Sequence, residues 1–174
     1  MSLEQTIEDL RLRLQRLEDE SAIRRVMAKM MKQADERDNP RMGELLVEYY
    51  TEDGQWVSAA GFADVGMKER GTQALIKKFT AGTRITESSH LLGTESITVN
   101  GDGADGSWLC FEPATLKGQD GKQEAVWVMA RYFAEFRRVG AEWKVRTLRF
   151  EGIFCTPFEE GWHKKRFVSV ANPR

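Results

Sequence analysis

Residues 130–138, ARYFAEFRR, and residues 142–145, EWKV, lie on either side of a turn at Gly140. These two segments predict a hairpin of long strands that extend over residues 125–138 and 142–150. Because the two strands are consecutive and separated by a short turn, they are expected to pair antiparallel. This hairpin is the core of the predicted fold.

Two more strands precede the hairpin, over residues 97–100 and 106–116, and a Gly101-Asp102-Gly103 turn joins them. The N-terminal half shows helical patterns instead. The elements predicted there are helices at 21–34, 41–50 and 71–79 and a short strand at 55–58, which a glycine-rich loop follows. Helices followed by a strand meander predict an α+β fold, in which helices cover one face of a mostly antiparallel sheet.

Residues 1–20 predict an amphipathic helix. Leu3, Ile7, Leu10, Leu14 and Leu17 have the 4-3-4-3 spacing of a heptad repeat, with charged residues between them. From Ser21 to Ala34 the helix either continues or begins afresh, since Ser21 is a good capping residue. The helix over 1–20 either lies on its own domain or packs on another subunit, and the pattern leaves both alternatives open.

Length and charge exclude several classes of protein. A chain of 174 residues fits one domain over 1–174, with a C-terminal tail at 156–174. Its 26 basic and 27 acidic side chains nearly cancel, so a nucleic-acid partner is not expected. The one basic cluster, residues 163–166, falls in the tail. There is no apolar run of about 18 residues, so no membrane span is expected.

Cys110 and Cys155 are too few and too far apart to indicate a disulfide framework. The N-terminus lacks the pattern of a secretory signal. These features favour a reduced, cytoplasmic setting. Two cysteines and two histidines without paired spacing also give no reason to expect a structural metal site.

Several segments together carry a resemblance to a known family. They are the first helix up to Asp35, the segment SHLLGT at 89–94 that precedes the strand, and the hairpin quoted above. In this order and spacing they resemble the SnoaL-like group of the nuclear-transport-factor-2-like (NTF2-like) superfamily of cone-shaped α+β folds. The resemblance covers residues 18–155. It implies N-terminal helices packed on a curved, mostly antiparallel sheet.

The resemblance also implies a class of activity. Within the superfamily the chain is similar to small cofactor-free enzymes: scytalone dehydratase, bile-acid 7α-dehydratase, hexachlorocyclohexane dehydrochlorinase and formaldehyde-releasing lyases that act on lignin-derived aromatics. Several of them use a histidine base that an aspartate orients, and His90 and Asp35 fall on those two positions. A carboxylate on one imidazole nitrogen sets the tautomer and raises the basicity of the other nitrogen.

The chain departs from these dehydratases on the first helix. Where they place a tyrosine, this sequence has Met30, so a phenol that polarises a carbonyl is missing there. Tyr49, Tyr50 and Tyr132 are the possible substitutes. The family's arginine on the last strand has Arg149 as its expected counterpart, with Arg146 as the competitor.

Glu112 is either a second acid–base group or a carboxylate at the rim of the site. The other residues expected to line the pocket are apolar or aromatic: Met30, Met31, Tyr50, Trp56, Trp108 and Tyr132. Methionines and aromatic rings adapt to apolar ligands, so a hydrophobic cyclic or aromatic substrate is expected.

These features predict a cofactor-independent lyase. His90 removes a proton from the substrate, and the group that leaves is water, halide or formaldehyde. Lignin-derived aromatic compounds are among the expected substrates. An isomerase is the nearest alternative, because it needs the same proton abstraction. A non-catalytic binding protein and a ring-hydroxylating dioxygenase small subunit share the fold. The heptads and the resemblance together predict a homo-oligomer, either a dimer or a trimer.

Overall fold

A computed structural model describes residues 2–59, 68–118 and 120–168, except the side chain of His163. The glycine-rich loop predicted after residue 58 therefore falls largely outside the described residues, as does the end of the predicted tail, 169–174. The described elements are, in chain order, α1 (Leu3–Asp35), α2 (Met42–Val47), β1 (Tyr50–Ser58), β2 (Lys68–Arg70), α3 (Thr72–Ala81), β3 (Ile85–Ser88), β4 (Leu91–Asn100), β5 (Gly103–Lys117), β6 (Gln123–Val139), β7 (Glu142–Pro157) and α4 (Gly161–Lys164).

The described strands form one sheet in the order β2-β1-β7-β6-β5-β3, and β4 pairs with β5 beside β3. The β1–β7 pair is parallel and the other described pairs are antiparallel. The predicted hairpin is β6–β7, whose turn contains Gly140 with a positive φ of 61°. The expectation of an α+β fold with a mostly antiparallel sheet is confirmed.

The sheet curls around the helices because its long strands carry irregularities. The β6–β7 register shifts between Met129 and Ala130 and again between Glu135 and Phe136. Such bulges bend a strand and increase its twist. Alternate residues of β5, including Trp108, Cys110 and Glu112, are buried. On the helix side, Ile23, Met27 and Met30 of α1 are almost fully buried in the same core.

The structure settles one boundary that the sequence left open and contradicts two predicted ones. α1 runs without a break through Ser21, because no glycine or proline interrupts residues 3–35 and the Ser21 hydroxyl accepts from Arg25 instead of capping a new helix. The second helix ends at Val47 rather than residue 50, so Tyr50 starts β1 and pairs with Val145 of β7.

The third boundary is the C-terminal tail. β7 continues to Pro157, and the chain then returns so that Phe167 bridges Cys155 in parallel and Arg166 donates to the carbonyl of Ile153. Residues 156–168 therefore belong to the fold rather than to a tail. Among the described residues, no helix combines the length and the apolar character needed to cross a membrane.

Asp19 fastens α1 to the hairpin. Its side chain is buried, accepts a hydrogen bond from Trp143 Nε1 at 3.0 Å and pairs with Arg138 at 2.7 Å. Burial acts to raise the pKa of Asp19, but the contacts with Arg138, Trp143 and Gln15 outweigh it and lower the pKa. Asp19 lies where α1 first contacts the sheet. Its charged contacts therefore hold this part of α1 against the end of β6 and the start of β7.

We expect Asp19→Ala to destabilise the fold by about 2–3 kcal/mol, because it leaves a buried indole N–H and a half-buried guanidinium without their acceptor. The midpoint of urea unfolding measures the change. Asp9→Ala, which removes an exposed ion pair with Arg13, is the control and is expected to cost less than about 0.5 kcal/mol. Equal effects of the two substitutions would contradict the anchoring role.

Candidate active site

The helices and the curled sheet enclose a cavity with an empty volume of about 630 Å³, its open mouth included. Most of its wall is apolar. The expected lining residues Met30, Met31, Tyr50, Trp56 and Tyr132 all lie in this wall, together with Met42, Leu46, Phe79 and Leu148. The cavity thus has the apolar character of a site for a small hydrophobic molecule.

Trp108 lies elsewhere. Its ring is buried against Phe136, and its indole N–H donates to Glu95 at 3.1 Å beneath a groove between α1 and β4. The side chain points to the helix side of the sheet, as the alternation along β5 requires, but it lies too far along the strand to line the cavity. Trp108 therefore does not line this cavity, but the groove that it borders is also lined by Asp35 and His90, so its contact with substrate stays a prediction.

Asp35 and His90 are in direct contact although 55 residues separate them. Asp35 is the last residue of α1, and His90 lies in the short link between β3 and β4. His90 Nδ1 is 2.6 Å from Asp35 Oδ1, and the backbone N–H of His90 donates to Asp35 Oδ2 at 2.9 Å. Because an ionised carboxylate only accepts, Nδ1 carries the proton and Nε2 is left as the basic nitrogen.

Three further side chains complete a closed ring of polar contacts. Ser88 donates to Asp35 at 2.8 Å and accepts from Arg37 Nε and Nη2 at 3.1 and 2.9 Å. Arg37 Nη2 also donates to Glu112 Oε1 at 3.2 Å. Glu112 Oε2 lies 3.6 Å from His90 Nε2, which is longer than a hydrogen bond but close enough for strong charge interaction. Glu112 is buried and is therefore not a rim carboxylate.

The ring shifts the acid–base properties of both members of the pair. Burial acts to lower the pKa of His90, but the charge of Glu112 and the hydrogen bond to Asp35 outweigh it, so the pKa of His90 lies above its ordinary value. Burial acts to raise the pKa of Asp35, but hydrogen bonds from His90 and Ser88 outweigh it and lower the pKa. The arrangement stabilises a protonated imidazole next to an ionised carboxylate.

Two tyrosines bring phenols to the cavity although Met30 does not. Burial raises the pKa of Tyr50 and of Tyr132 far above the ordinary value, so both hydroxyls stay protonated and can donate. The Tyr132 ring centroid is 6.5 Å from that of His90. Cys110 lies beside Tyr132, and burial raises the pKa of its thiol to about 12, which leaves it unreactive near neutral pH.

Arg149 does not lie in the described wall of the cavity. Leu148 and Phe150 point inward, so Arg149 points to the opposite face, where it pairs with Glu151 and stacks 4.5 Å from the Phe133 ring. Its expected role at the substrate is wrong.

Arg146, the alternative to Arg149, is not part of the described cavity wall either. The bulge opposite Glu135 and Phe136 takes Arg146 out of simple alternation, and its guanidinium contacts Glu135 and Asp53. The cation in the cavity wall near His90 is Arg37 instead.

We expect Glu112→Gln to shift the pH dependence of turnover. The base must be neutral, so activity is lost as pH falls through the pKa of His90. Removing the Glu112 charge lowers that pKa, and the acid limb of the kcat/KM profile moves to lower pH. Glu124→Gln, at an exposed position on β6, is the control and should leave the limb in place. An acid limb that stayed in place in Glu112→Gln would show that the Glu112 charge does not act on His90.

The pattern that defines SnoaL-like domains matches residues 15–149, which is most of the chain. The chain belongs to the SnoaL-like domain family. In this SnoaL-like domain, the match covers Asp35, His90, Glu112 and Tyr132 and ends at Arg149. A search of curated proteins finds no match to the sequence.

Solved structures of similar fold include a candidate scytalone dehydratase from Novosphingobium aromaticivorans DSM 12444, 20% identical, covering 91% of this chain and 94% of that chain with a TM-score of 0.69. A hexachlorocyclohexane dehydrochlorinase, LinA type 2, is 18% identical and covers 92% and 97%, with a TM-score of 0.69. An NTF2-like protein with a cystatin-like fold from N. aromaticivorans is 26% identical and covers 84% and 89%, with a TM-score of 0.58.

These likenesses confirm the NTF2-like fold for this SnoaL-like domain. Sequence reasoning missed Arg37 and Ser88, which complete the polar ring. Arg37 is one of 26 basic residues, and its position two residues after Asp35 is the only local signal that could have singled it out.

Proposed function

We propose that this protein is a cofactor-independent lyase that acts on a hydrophobic cyclic or aromatic small molecule. The observation that carries the proposal is the Asp35–His90 pair, because its basic nitrogen belongs to a ring in the wall of an apolar cavity. A buried imidazole with an orienting carboxylate is a general base for breaking a C–H bond.

In the proposed reaction His90 Nε2 takes a proton from substrate carbon. The electron pair of the broken C–H bond becomes the new double bond, and the leaving group departs from the neighbouring carbon with its own bonding pair. Halide leaves as the anion, and a hydroxyl group takes the proton from the His90 imidazolium and leaves as water. In loss of formaldehyde from an aryl-propanoid, the same base removes the proton of a CH₂OH hydroxyl: the O–H pair forms the C=O bond of formaldehyde, and the pair of the broken C–C bond forms the new double bond as a hydroxyl leaves the neighbouring carbon as water with the proton from His90. Asp35 and Glu112 stabilise the imidazolium that forms.

An isomerase is the second candidate, and the position of Glu112 favours it. The charge of Glu112, 3.6 Å from His90 Nε2, stabilises the protonated imidazole, which can return its proton to another carbon of the substrate. The two reactions share the first step and differ in whether a group leaves.

The test is a screen of aryl-propanoid, steroid-like and halogenated compounds in D₂O, followed by UV-visible spectra and mass spectrometry. A lyase produces a new chromophore and releases water, halide or formaldehyde. An isomerase gives a product of the same formula with deuterium on carbon. A compound that binds in the cavity with its C–H bond poised, yet neither reacts nor exchanges deuterium, would contradict both proposals.

A further inference from the structure

We infer that the substrate of the proposed reaction carries a carboxylate, and that Lys78 binds it; this inference rests on the function proposed above. None of the polar side chains in the described wall of the cavity carries a negative charge, and two of them, Arg37 and Lys78, are cations; the others are Tyr50, Thr83, His90 and Tyr132. Arginine and lysine can only donate. No carboxylate lies in the described wall, since Asp35 and Glu112 sit behind it. Such a wall is complementary to a ligand that supplies acceptors and negative charge.

The two cations of the wall differ in what they already bind. Arg37 donates to Ser88 and is neutralised by Glu112 at 3.2 Å. Lys78 has no ion-pair partner among the residues that the structure describes. It lies on the last turn of α3, next to Gly82 and Thr83 of the following loop, which also line the cavity. Lys78 is therefore the charge that remains for a ligand.

A structural role for Lys78 predicts something different. A lysine in the last turn of a helix interacts favourably with the helix dipole, which is worth a few tenths of a kcal/mol to 1 kcal/mol. That role affects stability alone. The ligand-binding role affects which molecules the cavity accepts, so the two are separable by a binding measurement.

The experiment compares cinnamate with cinnamamide by calorimetry, since the two have the same shape and differ in charge. The wild-type protein is expected to bind cinnamate about tenfold more tightly than cinnamamide, because one hydrogen bond to a charged group contributes an affinity difference of about this size. Lys78→Gln removes the preference and Lys78→Arg retains it. Lys77→Gln, at the exposed neighbouring position, is the control and keeps it.

Equal affinities in the wild-type protein, or a preference that survives in Lys78→Gln, would overturn the inference. The measurement needs no turnover, so it stands apart from the proposed lyase activity. His90→Ala should keep the carboxylate preference. A preference for carboxylate in a protein that turns over no compound would refute the lyase and leave the binding site in place.

A separate observation supports a second inference: we propose that residues 3–17 of α1 form a parallel two-stranded coiled coil with a second copy of this chain. Every residue from 7 to 18 is exposed, and the helix first meets the body at Asp19. The exposed fractions of the heptad residues are 76% for Leu3, 57% for Ile7, 55% for Leu10, 57% for Leu14 and 62% for Leu17. The helix therefore does not lie on its own domain at these positions.

The heptad stripe also points away from the body. At 100° per residue, the stripe is centred about 165° around the helix from the side that Asp19, Ile23, Met27 and Met30 bury against the sheet. A second α1 can therefore lie along the stripe in parallel while the two bodies stay on the outer sides. Isoleucine at an a position with leucine at d positions favours two strands, as Ile7 and Leu10 provide.

The flanking charges match a parallel partner. In that arrangement Arg13 of one chain faces Glu18 of the other across the apolar seam, and symmetry produces this pair twice. In an antiparallel dimer whose register also covers Leu17, Arg13 of one chain faces Arg13 of the other, and Arg11 faces Arg11. These pairs have like charges and repel. Charge complementarity and full coverage of the stripe thus agree on the parallel dimer.

Light scattering after size exclusion tests the second inference. The wild-type protein is expected to be a dimer, and Leu10→Glu with Leu14→Glu a monomer. Leu12→Glu is the control, because Leu12 is 62% exposed but lies off the stripe, and it should remain a dimer. Arg13→Glu or Glu18→Arg alone weakens the dimer and the two together restore it. A monomeric wild type, or an assembly that the stripe substitutions leave intact, would overturn the proposal.

Discussion

Replacement of His90 by alanine is expected to lower kcat by about 10³-fold, the size of effect typical of losing a positioned general base. The side chain is 7% exposed and belongs to the cavity wall, and its basic nitrogen has no other hydrogen bond among the described contacts. No other described side chain in the wall is an imidazole. Rate measurements on the substrate found in the screen give the ratio.

Added imidazole is expected to restore part of the activity of His90→Ala, because the substitution leaves a space of the same shape beside Asp35. The control is Ser89→Ala, which changes the exposed neighbour of His90 and should keep full activity. Turnover unchanged in His90→Ala, with the protein folded by circular dichroism, would exclude the histidine base.

Asp35→Asn is expected to lower kcat by about 10²–10³-fold, with little change in KM, because Asp35 orients the base and does not line the cavity. An asparagine amide in this position can donate to Nδ1, which places the proton on Nε2 and removes the lone pair that takes the substrate proton. The substitution also removes a charge that raises the pKa of His90, so the acid limb of residual activity moves to lower pH.

Asp38→Asn is the matched control, since Asp38 is an exposed carboxylate three residues further along the chain. Its kcat and pH profile should equal those of the unsubstituted protein. If Asp35→Asn raised KM and left kcat unchanged, Asp35 would be a binding residue and the orienting role would be wrong. Unfolding of the variant is checked separately by its urea midpoint, because Asp35 also joins α1 to the link before β4.

The parts of the fold that could be predicted are those with local causes. The β6–β7 hairpin, the β5 strand and the amphipathic character of α1 follow from residues close together in sequence. Boundaries such as Ser21 and Tyr50 could not be predicted, because capping and turn preferences there are weaker than the packing of α1 and the pairing of Tyr50 with Val145.

The site shows the same division. His90 and Asp35 could be chosen from the chain because their residue types and their positions match a known pattern. Arg149 was a wrong choice, because strand alternation places it on the outer face, and the bulge beside it excludes Arg146 as well. Arg37 could not be chosen, because its significance comes from contacts with Ser88 and Glu112, which are 51 and 75 residues away.

The sequence by itself determined the α+β class, the family, the heptad stripe and a histidine with its acidic partner, because each follows from local patterns of polarity and residue type. Only the tertiary structure decided which polar groups share the cavity, which cation lies beside His90 and which charge raises its pKa. Those properties depend on distances of a few ångströms between elements far apart in the chain. Sheet curvature and strand register set these distances, and packing of the whole molecule determines both.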